Sequence, residues 1–447
     1  MNDLILTRAE DAQRLAADPT ASVWVGASAG TGKTKVLTDR VLTLLLTETK
    51  PERILCLTFT KAAAAEMSNR IAGQLSKWNT QSDDELTEAL TKLTGQTPTT
   101  DQMVLARRLF TKVLDTPGGM HIQTIHSFCQ SLLGRFPLEA GIAPHFSVMD
   151  DRDAFEALAG AQETVLLRAR AGQDEPLAKA LSVITSHIHE TGFGDLMASL
   201  AYERSKLQRL FDQAGSVEAI AQSLRAHLGV DAFESLESLI TKACQEGAFA
   251  GEALREAAAA LETGSKTDGE RGRTLSLWLA GNQETRLENL AAYQEAYLTA
   301  KGEPRKTLAT KKVAESVPGL IEALSEEAER LAALENRKRT LITLEATEAL
   351  LVLGNALIGI YRQIKENRAQ LDYDDLILKT RSLLEDKAVT PWVLYKLDGG
   401  LDHILVDEAQ DTSPDQWRLI TALADEFFRG KGASEEKRTV FSVGDVK

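Results

Sequence analysis

Apolar positions along the chain follow three patterns in succession. From residue 1 to about 148, short β-branched runs alternate with helical periods. Val23–Trp24–Val25 reads as a strand; a loop of small residues follows, and then KTKVLTDRVLTLLL, with helical spacing. Ile54–Thr58 is a second apolar strand, followed by the alanine-rich helical stretch Ala62–Leu75. Residues 78–102 are polar, rich in Thr, Gln and Asp, and read as a surface excursion. HIQTIHSFCQSLLGRF then reads as a strand running into a helix. Strand, loop and helix repeating in this way predict a parallel sheet.

From about 150 to 365 the chain is rich in Ala, Leu and Glu, with few prolines and no repeat period. Leu320, Leu324, Leu331 and Leu334 share one helical face, and the whole block reads as helical. From Asp372 the α/β texture returns. YDDLILKTRSLL is helical, His403–Ile404–Leu405–Val406 is a buried strand, and a last strand covers Thr439–Val443. The fold class expected is α/β, a parallel sheet interrupted by a large all-helical domain. The divisions fall at 1–149, 150–365 and 366–447.

Composition adds boundaries. The chain has 447 residues, 43% hydrophobic and 26% charged, with 30 Gly and 11 Pro. That excludes collagen-like, low-complexity and globally disordered chains, and allows roughly two to three domains. Cys56, Cys129 and Cys244 lie too far apart for a disulfide framework or a closely spaced zinc site. The start MNDLILTRAEDAQ lacks a signal-peptide pattern, and no apolar run is read as approaching the ~20 residues of a membrane span. The expectation is a soluble, cytoplasmic protein with no membrane partner. A net charge of −14 argues against a bulk polycation, but a local phosphate-binding groove needs only a few cations and backbone N–H groups.

Candidate chemistry begins after the first strand, at Ala27-Ser28-Ala29-Gly30-Thr31-Gly32-Lys33-Thr34. Small residues between a strand and a helix N-terminus let successive N–H groups face a polyphosphate. Lys33 would neutralise β/γ oxygens, and the Thr34 hydroxyl would ligate Mg²⁺. Ala27 stands where the usual pattern has Gly. A phosphate loop needs a second strand carrying a metal carboxylate. Leu405-Val406-Asp407-Glu408-Ala409-Gln410-Asp411 supplies it, with acids at the C-terminal strand end, where open α/β sheets bind ligands. Asp407 would hold Mg²⁺, and Glu408 would orient and deprotonate the attacking water. Lys33 and Asp407 must meet across one Mg·ATP, so the helical block between them must be an insertion into the ATPase core.

This series of motifs resembles the superfamily 1 UvrD/Rep-like helicases, and within them the AddA branch of the AddAB helicase-nucleases, related to RecB. The resemblance implies a RecA-like P-loop NTPase domain, with ATP and Mg²⁺ as cofactors. Gln13 matches that family's adenine-reading glutamine. Thr58-Phe59-Thr60-Lys61 opens a segment, through Met67, that resembles its single-strand DNA contact motif. Thr124-Ile125-His126-Ser127-Phe128 resembles the next one, in its RecB and AddA form, with Thr124 and His126 as the contacts. Asp372-Tyr373-Asp374-Asp375-Leu376 matches the acidic helix before the metal strand. Asp407–Thr412 matches Walker B, with Gln410 coupling γ-phosphate to DNA. Gly302-Glu303-Pro304-Arg305-Lys306 looks specifically like AddA. Implied partners are single-stranded and duplex-end DNA and an AddB-like subunit in a heterodimer. The implied role is 3′→5′ translocation at double-strand breaks, for recombinational repair.

Each DNA assignment has a plainer rival. Phe59 could be core, although a Phe between two Thr at a strand end is well placed to stack on a base. His126 could be a satisfied core histidine rather than a backbone or phosphate contact. The basic stretches Arg305–Lys312 and Arg337–Arg339 read first as solvated faces, with duplex contact as the rival. In the resembled family the strand ending at Gly444 leads to a γ-phosphate-sensing glutamine, a second RecA-like domain and a nuclease domain. The chain as given ends before them, so little ATP turnover is expected from it alone. Two alternatives stand beside the helicase-nuclease: a UvrD-like repair helicase without nuclease, and a non-catalytic nucleotide- or DNA-binding module.

Overall fold

In the computed structural model the chain folds into two compact units, one comprising Met1–Ala154 and Lys365–Lys447, the other Phe155–Ile364. The structure describes residues 11–28, 32–172, 174–386, 388–390, 392–393, 396, 401–429 and 437–445. Its strands are β1 (Val23–Gly26), β2 (Ile54–Thr58), β3 (His121–Thr124), β4 (Ser147–Val148), β5 (Gln370–Leu371), β6 (His403–Val406) and β7 (Thr439–Gly444).

Five of these form one sheet in the order β1-β7-β6-β2-β3, every neighbouring pair parallel. Parallel strands covered on both faces read as continuous apolar runs rather than alternating ones, and that is the pattern of Ile54–Leu57 and Ile404–Val406. Leu55, Leu57, Ile404 and Val406 face one core with Phe128, Leu132, Leu376 and Leu419. Cys56, Leu405, Phe441 and Val443 face the other, with Leu37, Leu44, Met67 and Trp78. The sheet is thus the middle layer of three. Helices Lys33–Leu46 and Lys61–Thr80 lie on one side, and Ile125–Arg135 and Tyr373–Glu385 on the other.

The polar stretch expected as an excursion is helical. It forms Asp83–Thr94 and leads into Thr100–Leu114. Each helix opens with a reciprocal capping box, Ser82 with Glu85 and Thr99 with Gln102. Leu86, Leu90, Ala106 and Leu109 close over the core beneath. Much of the polarity is therefore capping chemistry and an outer helical face. The three cysteines are free and buried.

At the N-terminal edge of the sheet the strands are stapled by buried polar groups. Asp402 pairs with Arg53 at 2.8 Å and Arg438 at 3.3 Å, joining the starts of β2, β6 and β7. Buried Arg40 donates to the Ala21 carbonyl at 2.7 Å and to the Thr439 hydroxyl at 2.9 Å. That hydroxyl, already accepting from Arg40, has one proton left to give, and His403 Nδ1 lies 2.8 Å away. Burial pushes the His403 pKa down to about 4, and the Arg40 charge adds to the shift against Asp402.

The second unit is helical. Trp278 stacks on Tyr293 with ring centroids 3.9 Å apart, and Phe249, Tyr297 and Leu324 pack in the same core. Buried Arg286 is satisfied by the carbonyls of Trp278, Leu279 and Cys244 and by Glu246 at 2.6 Å. Buried Glu327 accepts from Tyr293 at 2.9 Å and pairs with Arg330. Leu320, Leu324, Leu331 and Leu334 bury one stripe of a 48-residue helix, Leu320–Asn367.

Two expectations change here. The long helix includes an 18-residue window of mean hydropathy 1.6, so one helix does have the length and composition to cross a membrane. Leu344, Leu353, Leu357 and Tyr361 in this helix are buried inside the protein, which gives the apolar run a core role. The basic stretch Arg337–Arg339 is not simply a solvated face. Arg337 pairs with Glu234, Lys338 pairs with Glu335 at 2.9 Å, and Arg339 donates to the Lys301 carbonyl at 2.9 Å. Gly302 sits at φ 81°, and a Cβ there would come 2.9 Å from the Arg339 guanidinium. Arg305 donates its main-chain N–H to Tyr297 and its side chain to the Glu295 carbonyl, while Lys311 and Lys312 are exposed. The GEPRK segment is therefore a tight loop held against the long helix.

His403 gives a signed pH dependence. Its pKa is depressed in the folded state, so the unfolded chain takes up the proton first. The stabilisation is complete above the ordinary imidazole pKa and is lost as pH falls toward 4. Between pH 7 and 5 the loss from this residue is about 2 kcal/mol. Urea denaturation at both pH values should show this loss in the wild type, and a clearly smaller one in His403→Gln.

Candidate nucleotide and single-strand site

Because the five strands are parallel, their C-terminal ends share one edge. Gly26 there leads to the segment expected to hold phosphate, Val406 to Asp407 and Glu408, and Gly444 to Asp445. Thr58 leads to Phe59–Lys61, and Thr124 to His126. Residues that are hundreds of positions apart in sequence are brought together by that register alone.

The loop leaves β1 beside β7, where the Ala27 N–H donates to the Gly444 carbonyl at 3.1 Å. Ser28 is exposed and Thr34 half-buried. Ala29, Gly30 and Thr31 lie outside the described residues. Gly32, at φ 89°, caps helix Lys33–Leu46 in the left-handed region, which a residue without Cβ adopts at little cost. Lys33 follows with its side chain only 11% exposed. Its ammonium is hydrogen-bonded to Asp445 and stands 3.9 Å from Glu408. The Asp445 contact, aided by Glu408 and Asp407, raises the Lys33 pKa.

Asp407 is buried at the end of β6, with its N–H donating to the Leu57 carbonyl at 2.9 Å. Burial pushes its pKa up and the adjacent Glu408 charge adds to this, while the Glu408 N–H bond and Lys33 act the other way. Glu408 has φ 52° and ψ 47°, a left-handed conformation uncommon for a residue with a side chain. Such strain persists only where the surroundings impose it. Gln410 does so in part: its amide donates to Glu408, and its carbonyl oxygen accepts the Asp445 N–H at 2.8 Å. Gly444 makes room for it, since a Cβ there would lie 2.8 Å from that oxygen.

Gln13 lies in a short helix, residues 11–16, and accepts from Lys35 at 3.4 Å. With Arg14, Asp39 and Lys92 it lines a cavity of about 440 Å³ adjoining the start of the Lys33–Leu46 helix.

The neighbouring strand ends form a different surface. Phe59 is 50% exposed, which removes the core reading for this residue. Thr60 and Lys61 are exposed beside it, and Thr60 caps the next helix by accepting the Ala63 N–H at 3.1 Å. Thr58 and Thr124 are register partners on β2 and β3, both buried. Thr58 donates to the Thr60 carbonyl, and Thr124 caps its helix through the Ser127 N–H. Their hydroxyls therefore shape the loops, whereas Phe59, Thr60 and Lys61 present the surface. His126 is half-buried, edge-on to Tyr373 at 5.3 Å, and burial lowers its pKa against the pull of Asp374. Asp372 and Asp375 are held by Lys365 and cap helix Tyr373–Glu385, which carries Tyr373.

The donor set suits a divalent cation held jointly with phosphate. Among the described residues no three His, Cys, Asp or Glu side chains cluster tightly enough to hold a metal by themselves. Mg²⁺ needs only one or two carboxylates beside phosphates and water, and Asp407 is a buried acid already burdened by a neighbouring negative charge. Sequence reasoning assigned no role to Asp445 or Lys35. A Gly-Asp at the end of an apolar strand was the visible signal for the first, but its reach to Lys33 requires β7 to lie beside β1.

Residues 9–447 match the family model described as the UvrD/REP helicase N-terminal domain. An ATP-dependent helicase/nuclease of AddA type from Pelotomaculum thermopropionicum is 26% identical, over 95% of this chain and 33% of its own length. Its namesakes from Moorella thermoacetica, 26% identical over 96% of the chain and 30% of their own length, and Anoxybacillus flavithermus, 25% over 95% and 34%, align similarly. The chain thus spans about a third of the length of the curated relatives it matches. With the family match running from residue 9 to 447, nearly the whole sequence, the chain belongs to the UvrD/REP helicase family.

Proposed function

We propose that this chain is the nucleotide-binding, strand-gripping part of an ATP-dependent 3′→5′ DNA helicase-nuclease of AddA type. It would work with an AddB-like subunit on double-strand ends, preparing them for recombinational repair. The observation that carries this reading is the gathering of Lys33, Asp407, Glu408 and Gln410 at the edge of the sheet that also presents Phe59 and Lys61. The names of the relatives support the nuclease-linked form over a UvrD-like repair helicase.

In this mechanism the N–H groups of the loop from Ala27 to Gly32 cradle the phosphates of ATP, and Gln13 reads the adenine. Lys33 places its charge on the β/γ oxygens, where negative charge concentrates during transfer. Thr34 and Asp407 would hold Mg²⁺, which when bound neutralises phosphate charge and relieves the strained ionisation of Asp407. Glu408 orients the attacking water and accepts its proton; the left-handed backbone and the Gln410 amide fix the carboxylate for that task. Gln410 also touches the exit of β7, so a change at the phosphates is transmitted to the strand end. Phe59 stacks on a base while Thr60 and Lys61 meet the backbone, a grip that tolerates any sequence.

Isothermal titration of the 447-residue chain with Mg·ATP should give saturable binding that Lys33→Ala abolishes and Glu408→Gln retains. ATP turnover, low in this chain and stimulated by single-stranded DNA, should vanish in both variants. Binding with no turnover under any DNA condition would favour the non-catalytic module instead.

Phe59→Ala should weaken single-stranded DNA binding roughly ten- to hundredfold, the loss of one base stack, with similar effect on every sequence. Fluorescence anisotropy on poly-dT and mixed-sequence oligonucleotides measures it; an unchanged affinity would remove Phe59 from the DNA path.

Asp407→Asn should raise the thermal midpoint of the nucleotide-free protein, because burial and the adjacent Glu408 charge push the Asp407 pKa up. The folded carboxyl is harder to ionise than the unfolded one, so at pH 7 its charge opposes folding. Asn keeps the acceptor for the Glu408 N–H. The same variant should lose turnover, and calorimetry read beside the ATPase assay separates the two effects.

A further inference from the structure

Resting on the nucleotide-site reading, one contact in it asks for more than ATP binding. The Lys33 side chain is only 11% exposed, and an ammonium on so covered a stem gains from a close partner. Asp445 supplies it by direct hydrogen bond, whereas Glu408 stands 3.9 Å off and already accepts from Gln410. Asp445 keeps about a third of its side chain in solvent, so its carboxylate has somewhere to go. Its backbone does not: the N–H is tied to Gln410 at 2.8 Å, and Gly444 packs against the same amide. A polyphosphate that reaches Lys33 brings like charge against this carboxylate, so the two compete for one cation.

We propose that Asp445 is the resident counter-ion of Lys33 and a specificity-determining residue of the site. It holds the ammonium in place before nucleotide arrives and must swing out when phosphate takes over. The contact thereby sets a threshold. A ligand gains the Lys33 interaction only if it carries enough negative charge at that point to displace the acid. Adenosine monophosphate, whose single phosphate stops short of Lys33, neither suffers from the competitor nor benefits from its removal. A nucleotide with a β/γ pair must overcome it. Because Asp445 is anchored through its own N–H to Gln410, release of its side chain leaves the Gln410–Glu408 contact standing. The threshold therefore acts on binding and leaves the catalytic carboxylate in position.

The test is titration calorimetry with Mg²⁺ and the non-hydrolysable analogue AMP-PNP, alongside AMP, on the 447-residue chain. Asp445→Asn should bind AMP-PNP roughly tenfold more tightly than wild type and leave AMP unchanged. Asp445→Ser should repeat the gain, and Asp445→Glu should return toward the wild-type value. Asp101→Asn removes an equal charge from the same unit, at an exposed acid in the first turn of helix Thr100–Leu114, and should change AMP-PNP affinity by less than about twofold. Equal gains in the Asp101 and Asp445 variants, or no gain in either Asp445→Asn or Asp445→Ser, would overturn the inference. Undiminished AMP-PNP binding by Lys33→Ala would instead overturn the nucleotide-site reading on which it rests.

Discussion

Everything placed at the site depends on the shared direction of five strands. In a parallel sheet each strand delivers its C-terminal end to the same edge, and each end must be followed by a chain reversal into a helix. The backbone N–H groups freed at those helix starts, and the side chains of the reversals, are the main material for chemistry at that edge, joined by Gln13 from the helix before β1. Here the segments after the strands carry two lysines, Lys33 and Lys61, with Asp407, Glu408, Asp445, Gln410 and the half-exposed Phe59. The opposite edge receives the strand starts and is closed by Asp402, two arginines, Arg40 and His403. One edge is tied by buried ion pairs and hydrogen bonds between strand starts; the other crowds its acids around Lys33.

That crowding has an electrostatic form. Asp407, Glu408 and Asp445 stand around a single lysine, so negative charge exceeds positive before any ligand arrives. The raised pKa of Asp407 and the left-handed turn at Glu408 are two signs of one condition: acids crowd this edge, which suits the cation and phosphates of the proposed function. Stability given up at such a point is ordinarily recovered elsewhere in the fold. The double hydrophobic core of the sheet and the capped helices above it are where that recovery lies.

Much of this was legible in the sequence, because the signals are local. An apolar run followed by small residues and GKT needs no tertiary knowledge, and neither does an apolar run ending in Asp-Glu. The helical spacing of Leu320, Leu324, Leu331 and Leu334 is equally local, and those residues are buried as a stripe. Strand order is a different matter. Nothing in residues 439–444 says that they lie between β1 and β6, so the Asp445–Lys33 contact could not be read. Polarity misled twice. Residues 78–102 owe much of theirs to caps and outer helix faces, and Arg337–Arg339 spend theirs on carbonyls and acids of their own unit. In the long helix, hydropathy alone does not distinguish a core stripe from a span of lipid-facing residues.

The pairing of β1 has a consequence for how the protein comes into being. Among the described residues β1 pairs with β7 alone, so a strand made near residue 25 hydrogen-bonds to one made near residue 440. While β2 and β3 can pair as soon as residue 124 has left the ribosome, β1 must wait for about four hundred further residues of synthesis. At about 5–20 residues per second that is a delay of about 20–80 s. The helical unit, complete at Ile364, is finished well within that interval. The strand that leads into the proposed nucleotide site is thus made early but paired late, and Lys33 meets Asp445 only after β7 is made.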